Sequence, residues 1–208
     1  MPGAYGAGAV QGANATQAGT TAVSTSFSSL TAAGNLLICG TASSSVSDTL
    51  SISDTQNNVW RVAVNPFNLD GAHLVQVFYV SNIVGGPDTI TLTGAAATHW
   101  LGCQEWFQAG STPNTAIVFG ATADPVCCTV AQHTNDGIFG FVVNTSTPNT
   151  APVTTGTQAT YIMTGAATAN MGVEYSVGDQ TLSAQPQFTA AAGTWTCASV
   201  DLDRKSVV

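Results

Sequence analysis

The chain has 208 residues, with three Lys plus Arg against eleven Asp plus Glu, a formal net charge of −8 and only 7% charged residues. So few basic groups exclude a protein that holds nucleic acid by displacing counterions from phosphates. A hydrophobic content of 44% excludes charge-driven disorder.

Residues 1–20 are almost entirely Gly, Ala, Gln, Asn and Thr, which predicts a flexible N-terminal arm. Residues 21–208 then read as one domain of alternating strands and turns. The predicted strands are Ala22–Phe27, Asn35–Thr41, Thr49–Ser53, Trp60–Val64, His73–Ser81, Thr89–Thr93 and Trp100–Phe107. They continue with Ala116–Phe119, Cys127–Gln132, Ile138–Asn144, Ala159–Thr164, Gly172–Val177, Gln187–Ala190 and Thr194–Asp201. Each is rich in Val, Ile, Thr or aromatic residues, which suit a half-buried pleated surface.

Turn clusters separate them: Asn57-Asn58, Asp70-Gly71, Gly85-Gly86-Pro87-Asp88, Asn135-Asp136-Gly137 and Gly178-Asp179. Asn, Asp and Gly tolerate the positive φ that hairpin corners need. No helical periodicity is sustained, and Ala95–Ala97 is too short to make a helix. The expected fold is all-β: a two-sheet antiparallel β-sandwich of jelly-roll type carrying a flexible arm. No apolar run approaches the ~18–20 residues of a membrane-spanning helix. The amino terminus, Met1-Pro2-Gly3-Ala4-Tyr5-Gly6, has neither the basic nor the Leu/Ile/Val-rich part of a signal peptide, so no export signal is expected.

The five cysteines are an odd number, so they cannot all pair within one chain. Cys39, Cys103 and Cys197 sit inside apolar runs and are expected to be small buried hydrophobes. The adjacent Cys127 and Cys128 point to opposite faces of a strand, which leaves one available for an intersubunit or redox role.

Several motifs resemble a β-sandwich module of bacterial surface proteins and phage virion proteins. They begin at Ser26-Phe27 and Gly34-Asn35-Leu36-Leu37. They continue through the hairpin from Asp54 to Asn58 and Trp60, in which Asn57 stands where the module usually has Gly. The run Phe78-Tyr79-Val80-Ser81-Asn82-Ile83-Val84-Gly85-Gly86-Pro87-Asp88-Thr89-Ile90-Thr91-Leu92-Thr93 follows, and then Glu105-Trp106-Phe107-Gln108-Ala109-Gly110. The resemblance spans roughly residues 22–203 and implies architecture; it carries no catalytic residues with it.

Side chains able to do chemistry are sparse. His73, His99 and His133 are far apart, and His99 lies about 13 Å from Cys103 on an extended strand, too far to share a metal ion. They read as ordinary strand-end histidines, and no metal or cofactor is expected. Glu105 and Glu174 are the only glutamates. Paired on one concave sheet they would resemble a glycosidase, but a partly buried carboxylate accepting from a loop's backbone amides is the plainer reading. Asp48, Asp54, Asp88, Asp136 and Asp179 fall in or near turns, where capping explains them better than Ca²⁺. Trp60, Trp100, Trp106 and Trp195 would make either a sugar-stacking platform or core, and Trp100 and Trp106 share a face by parity.

These features lead to the expectation of a non-enzymatic structural virion protein: a phage capsid decoration subunit, oligomeric, bound to neighbouring capsid or tail subunits and to neither nucleic acid nor membrane. The alternative is an extracellular carbohydrate-binding or adhesion module. No binding residues can be assigned at this level.

Overall fold

The computed structural model describes residues 8–107, 109–111, 115–120, 137–144, 151–152, 158–163, 170–177, 188–189 and 193–204. Among them every regular element is a strand, and every strand pairing is antiparallel. None of the described elements is a helix, so none is long and apolar enough to cross a membrane.

The first sheet contains β1 (Gly8–Ser26), β2 (Leu36–Ser43), β3 (Ser51–Asp54), β4 (Arg61–Asn68), β5 (Leu74–Ser81) and β6 (Thr89–Phe107). Its order is β1-β6-β2-β5-β4, with β3 paired to the first part of β6 and β2 to the second. The second contains β7 (Ala109–Ser111), β8 (Thr115–Gly120), β9 (Gly137–Asn144), β11 (Gln158–Met163), β12 (Asn170–Val177) and β14 (Trp195–Arg204). Here the order is β11-β12-β9-β14-β7, with β8 also on β14. The short β10 (Ala151–Pro152) and β13 (Phe188–Thr189) pair separately.

The predicted arm is corrected by this arrangement. Residues 8–20 are the greater part of β1 and pair with β6 from Phe107 back to Ala97. Small uncharged side chains, read as flexibility, instead allow close pairing beside a buried strand. The two strands predicted over Thr89–Thr93 and Trp100–Phe107 are likewise one strand, continuous through Gly94–Thr98 but irregular there. Where Thr20 and Ala22 are two apart on β1, their partners Ala97 and Thr93 are four apart on β6.

At this irregularity the β1–β6 ribbon folds over. The Thr25 hydroxyl donates to the Asn14 carbonyl at 2.9 Å, although a straight strand would separate residues eleven apart by about 36 Å. Gly19, at φ +64°, supplies a left-handed backbone position at the bend. Folding encloses one apolar cluster: Ala13, Leu37, Cys39, Leu101 and Cys103 on one arm of the ribbon sheet meet Val23, Ile90 and Leu92 on the other.

The opposite face of the same sheet meets the second sheet. Leu36, Ile38, Val75, Val77, Trp100 and Trp106 share a cluster with Phe139, Phe141, Val143, Ala198, Val200 and Leu202. Strand β2 is therefore buried along its whole length, alternate side chains serving two cores. Two glycines set the approach of the sheets. A Cβ on Gly40 would overlap the Phe141 ring, and one on Gly137 would overlap the Trp106 indole.

The cysteine expectation is overturned. Cys39 and Cys103 are directly opposed on β2 and β6, with Cα atoms 4.1 Å apart, and form a disulfide. Antiparallel partners at the narrow, non-hydrogen-bonded spacing lie this close. Cys197 is disulfide-bonded too, to a partner outside the described residues. Burial was read correctly, but only cross-strand register could reveal the pairing. Cys127, Cys128 and the predicted strand around them lie outside the described residues.

Candidate functional site

Three polar clusters and one cleft hold the side chains that sequence reasoning singled out. The first cluster centres on Glu105. Its carboxylate, in a residue 1% exposed, accepts from the Ala32 amide at 2.7 Å, the Asn35 side-chain amide at 2.7 Å and the Gln11 side-chain amide at 2.6 Å. Gln11 is fixed in turn by Ser29, whose N–H it accepts at 3.2 Å and whose carbonyl it reaches at 3.3 Å. Glu105 thus ties β1 and the Ser29–Asn35 loop to β6. Glu174 lies on β12 of the other sheet, opposite Gly140 and Thr160.

A second cluster occupies the ribbon bend. Asp48 accepts from Ser43 Oγ at 2.7 Å, the amides of Thr49 and Ala95 at 2.8 and 2.6 Å, and contacts His99 Nε2 at 2.8 Å. Burial alone would raise the Asp48 pKa, but the hydrogen bonds from Ala95, His99, Ser43 and Thr49 outweigh it and hold it below its ordinary value. Ser, Asp and His meet here, yet the hydroxyl donates to the carboxylate and not to the imidazole. No base activates it, and His99 and Ser43 are fully buried. The cluster secures the irregularity in β6; Gly94 is required there because a Cβ would strike Asp48 and His99. His99 is therefore no strand-end histidine. His73 stands immediately before β5, where its Nδ1 contacts the Asp70 carboxylate at 2.8 Å. His133, Asp136 and Asp179 fall outside the described residues.

The third cluster explains the spacing of Asp54, Asn58 and Trp60. One carboxylate oxygen of Asp54 accepts the Asn58 backbone amide at 3.0 Å. The other accepts the Asn58 side-chain amide at 3.0 Å and the Trp60 indole N–H at 2.8 Å. Asn57 between them takes φ +56°, the left-handed position that Gly would fill without strain. Close by, Thr55 donates to Asp88 at 3.1 Å, while the second Asp88 oxygen is buried without a partner. Burial first, and then the Asp54 charge, raise the Asp88 pKa.

The tryptophans do not form a platform. Trp100 and Trp106 share a face, as parity predicts, and that face is core; Trp195 is buried and Trp60 half-buried against the ribbon cluster.

The cleft lies where two of the motifs meet. One wall is the Asn57–Arg61 segment and the other is the end of β5 with the turn after it, Val80–Val84. Val84 N–H donates to Asn58 Oδ1 at 2.9 Å and joins the walls. The cleft has a volume of about 300 Å³. Asn57 and Asn82, the two non-glycine residues with positive φ among the described residues, both line it. Sequence reasoning missed Arg61 and Asn82. Arg61 had a signal, being one of three basic residues in the chain.

The chain matches no protein-family model, no curated protein and no solved structure. The resemblance drawn above rests on its motif residues alone.

Proposed function

We propose that this chain is a structural subunit of a virion surface, a decoration or cement protein of phage type working through protein–protein contacts. We read its two six-stranded sheets, which share a core, as the layers of a β-sandwich of jelly-roll type. The observation that carries the assembly reading is the outer edge of β1. It is 19 residues long, contains no charge and no proline, and pairs on one side only among the described residues. Natural sheets guard such edges with Lys, Pro, bulges or brevity. The β1 pairing with β6 shifts register at three places but runs unbroken over Gln11–Gln17 and Ala22–Ser26, whereas β4 adds Pro66 to its two irregularities and β3 has four residues ending in Asp54. A long edge without charge or proline suits pairing with a second copy, and few charges need desolvating at such a contact. Buried disulfides suit the oxidising conditions met at virion and cell surfaces.

The test is the assembly state by light scattering, with co-sedimentation against capsid shells of the virus whose genes lie beside this one. Wild type is expected to oligomerise and bind the shell, and Gln17→Lys with Thr21→Lys to do neither while melting like wild type. A protein that stays monomeric and sediments with no capsid or tail lattice overturns the reading. The adhesion alternative draws its support from the cleft.

A further inference from the structure

We propose that the cleft between Asn57–Arg61 and Val80–Val84 is a binding site for a carboxylate-bearing saccharide unit, a uronic-acid type sugar. The argument begins with charge. In a chain of net charge −8, Arg61 is exposed and lines the cleft, and its side chain makes no hydrogen bond or ion pair among the described residues. A guanidinium offers a planar fork of donors that matches a carboxylate in two parallel hydrogen bonds.

The remaining lining suits a sugar ring. The side chains of Asn57, Ser81 and Asn82 have no hydrogen-bond partner among the described residues, so their amides and hydroxyl can both donate and accept, as vicinal hydroxyls require. Val59 and Val84, 78% and 57% exposed, give apolar contact for the C–H face of a ring. A volume of about 300 Å³ is at the lower end for small-molecule sites, enough for one or two sugar units.

The walls are also built to hold their shape. Asp54 anchors Asn58 and Trp60, and Asn58 anchors Val84, so the free groups project from a cross-braced frame. Strained left-handed backbone at both Asn57 and Asn82 concentrates in this one place, as it does at ligand sites. A peptide carboxylate would offer the same charge, but the β4 edge beside the cleft is interrupted between Val62 and Val64 and again before Phe67. Strand addition by a peptide finds no regular ladder there.

The experiment titrates purified full-length protein with a galacturonate trisaccharide by calorimetry and saturation-transfer NMR. The comparison ligands are its neutral methyl ester, acetate, and a short peptide with a free C-terminus. The trisaccharide is expected to bind, its ester to bind about tenfold or more weakly, and acetate and peptide to compete poorly. Arg61→Gln is expected to lose at least the same factor with an unchanged melting temperature, since the side chain is exposed and unpartnered; Arg61→Lys is expected to fall between. Absence of trisaccharide binding, equal binding of the ester, preference for the peptide, or an Arg61→Gln variant that binds like wild type would each overturn the proposal. Sugar binding by isolated protein is independent of shell assembly, so either reading can fail alone.

Discussion

Replacing Glu105 by alanine is expected to destabilise the fold by about 3–5 kcal/mol. The buried carboxylate accepts three hydrogen bonds, from Ala32, Asn35 and Gln11. Hydrogen bonds to a charged group are each worth about 1.5–3 kcal/mol net, but the donors do not all lose equally. Ala32 is exposed and can turn to water. Asn35 is buried, so its amide is left unpaired at a cost of about 1–3 kcal/mol. Removal of the buried Cγ methylene adds about 0.8 kcal/mol.

Glu105→Gln keeps the volume and separates packing from charge. It places an amide among donors, and Gln11 can accept from it only by turning over and losing both bonds to Ser29. An intermediate loss of about 1–3 kcal/mol is expected. Urea unfolding under non-reducing conditions reads both, with an unchanged denaturant slope required for the comparison. A loss below about 1 kcal/mol for Glu105→Ala would refute the clamp. It would reopen the question of why a carboxylate is buried there.

Gly40→Ala is expected to cost about 1–3 kcal/mol by overpacking against the Phe141 ring, and Gly137→Ala the same against Trp106; unfolding curves check both, and neutrality at either would mean that the sheets do not meet there. Two carboxylates have opposite linkage to pH. Asp48, held below its ordinary 3.8, contributes stability that is present above that value and lost as pH falls through the lower folded value. Asp88, raised above 3.8, favours the fold when protonated, and that advantage is lost as pH rises through 3.8 toward the folded value. Asp88→Asn is therefore expected to raise the melting temperature at neutral pH, with the gain vanishing below 3.8; calorimetry across that range decides it. Thiol titration of denatured, unreduced protein is expected to find one free thiol per chain. Of five cysteines, Cys39 and Cys103 account for two, and Cys197 with its single partner for two more. Three or five free thiols would contradict the pairing.

Strand content was legible from composition and alternation, because β-branched residues between Asn, Asp and Gly turns leave few other ways to bury apolar surface. The shared face of Trp100 and Trp106 follows from parity, since alternate residues of a strand face one way. The motif from Asp54 to Trp60 was visible as a spacing, but its meaning needed the hairpin to bring an indole and two amides onto one carboxylate. Residues 8–20 were misread because glycine, alanine and threonine are as compatible with a paired edge strand as with a loose arm. Local composition does not say whether a partner strand lies alongside.

The scarcity of charge and the all-β character belong to the sequence by itself, since each depends on residue type and near-neighbour order. Tertiary structure alone decided the folded ribbon, the disulfide between Cys39 and Cys103, the Asp48–His99 bend and the cleft around Arg61. Each of these joins residues distant in the chain, and which of them meet is set by strand register and by where a strand bends.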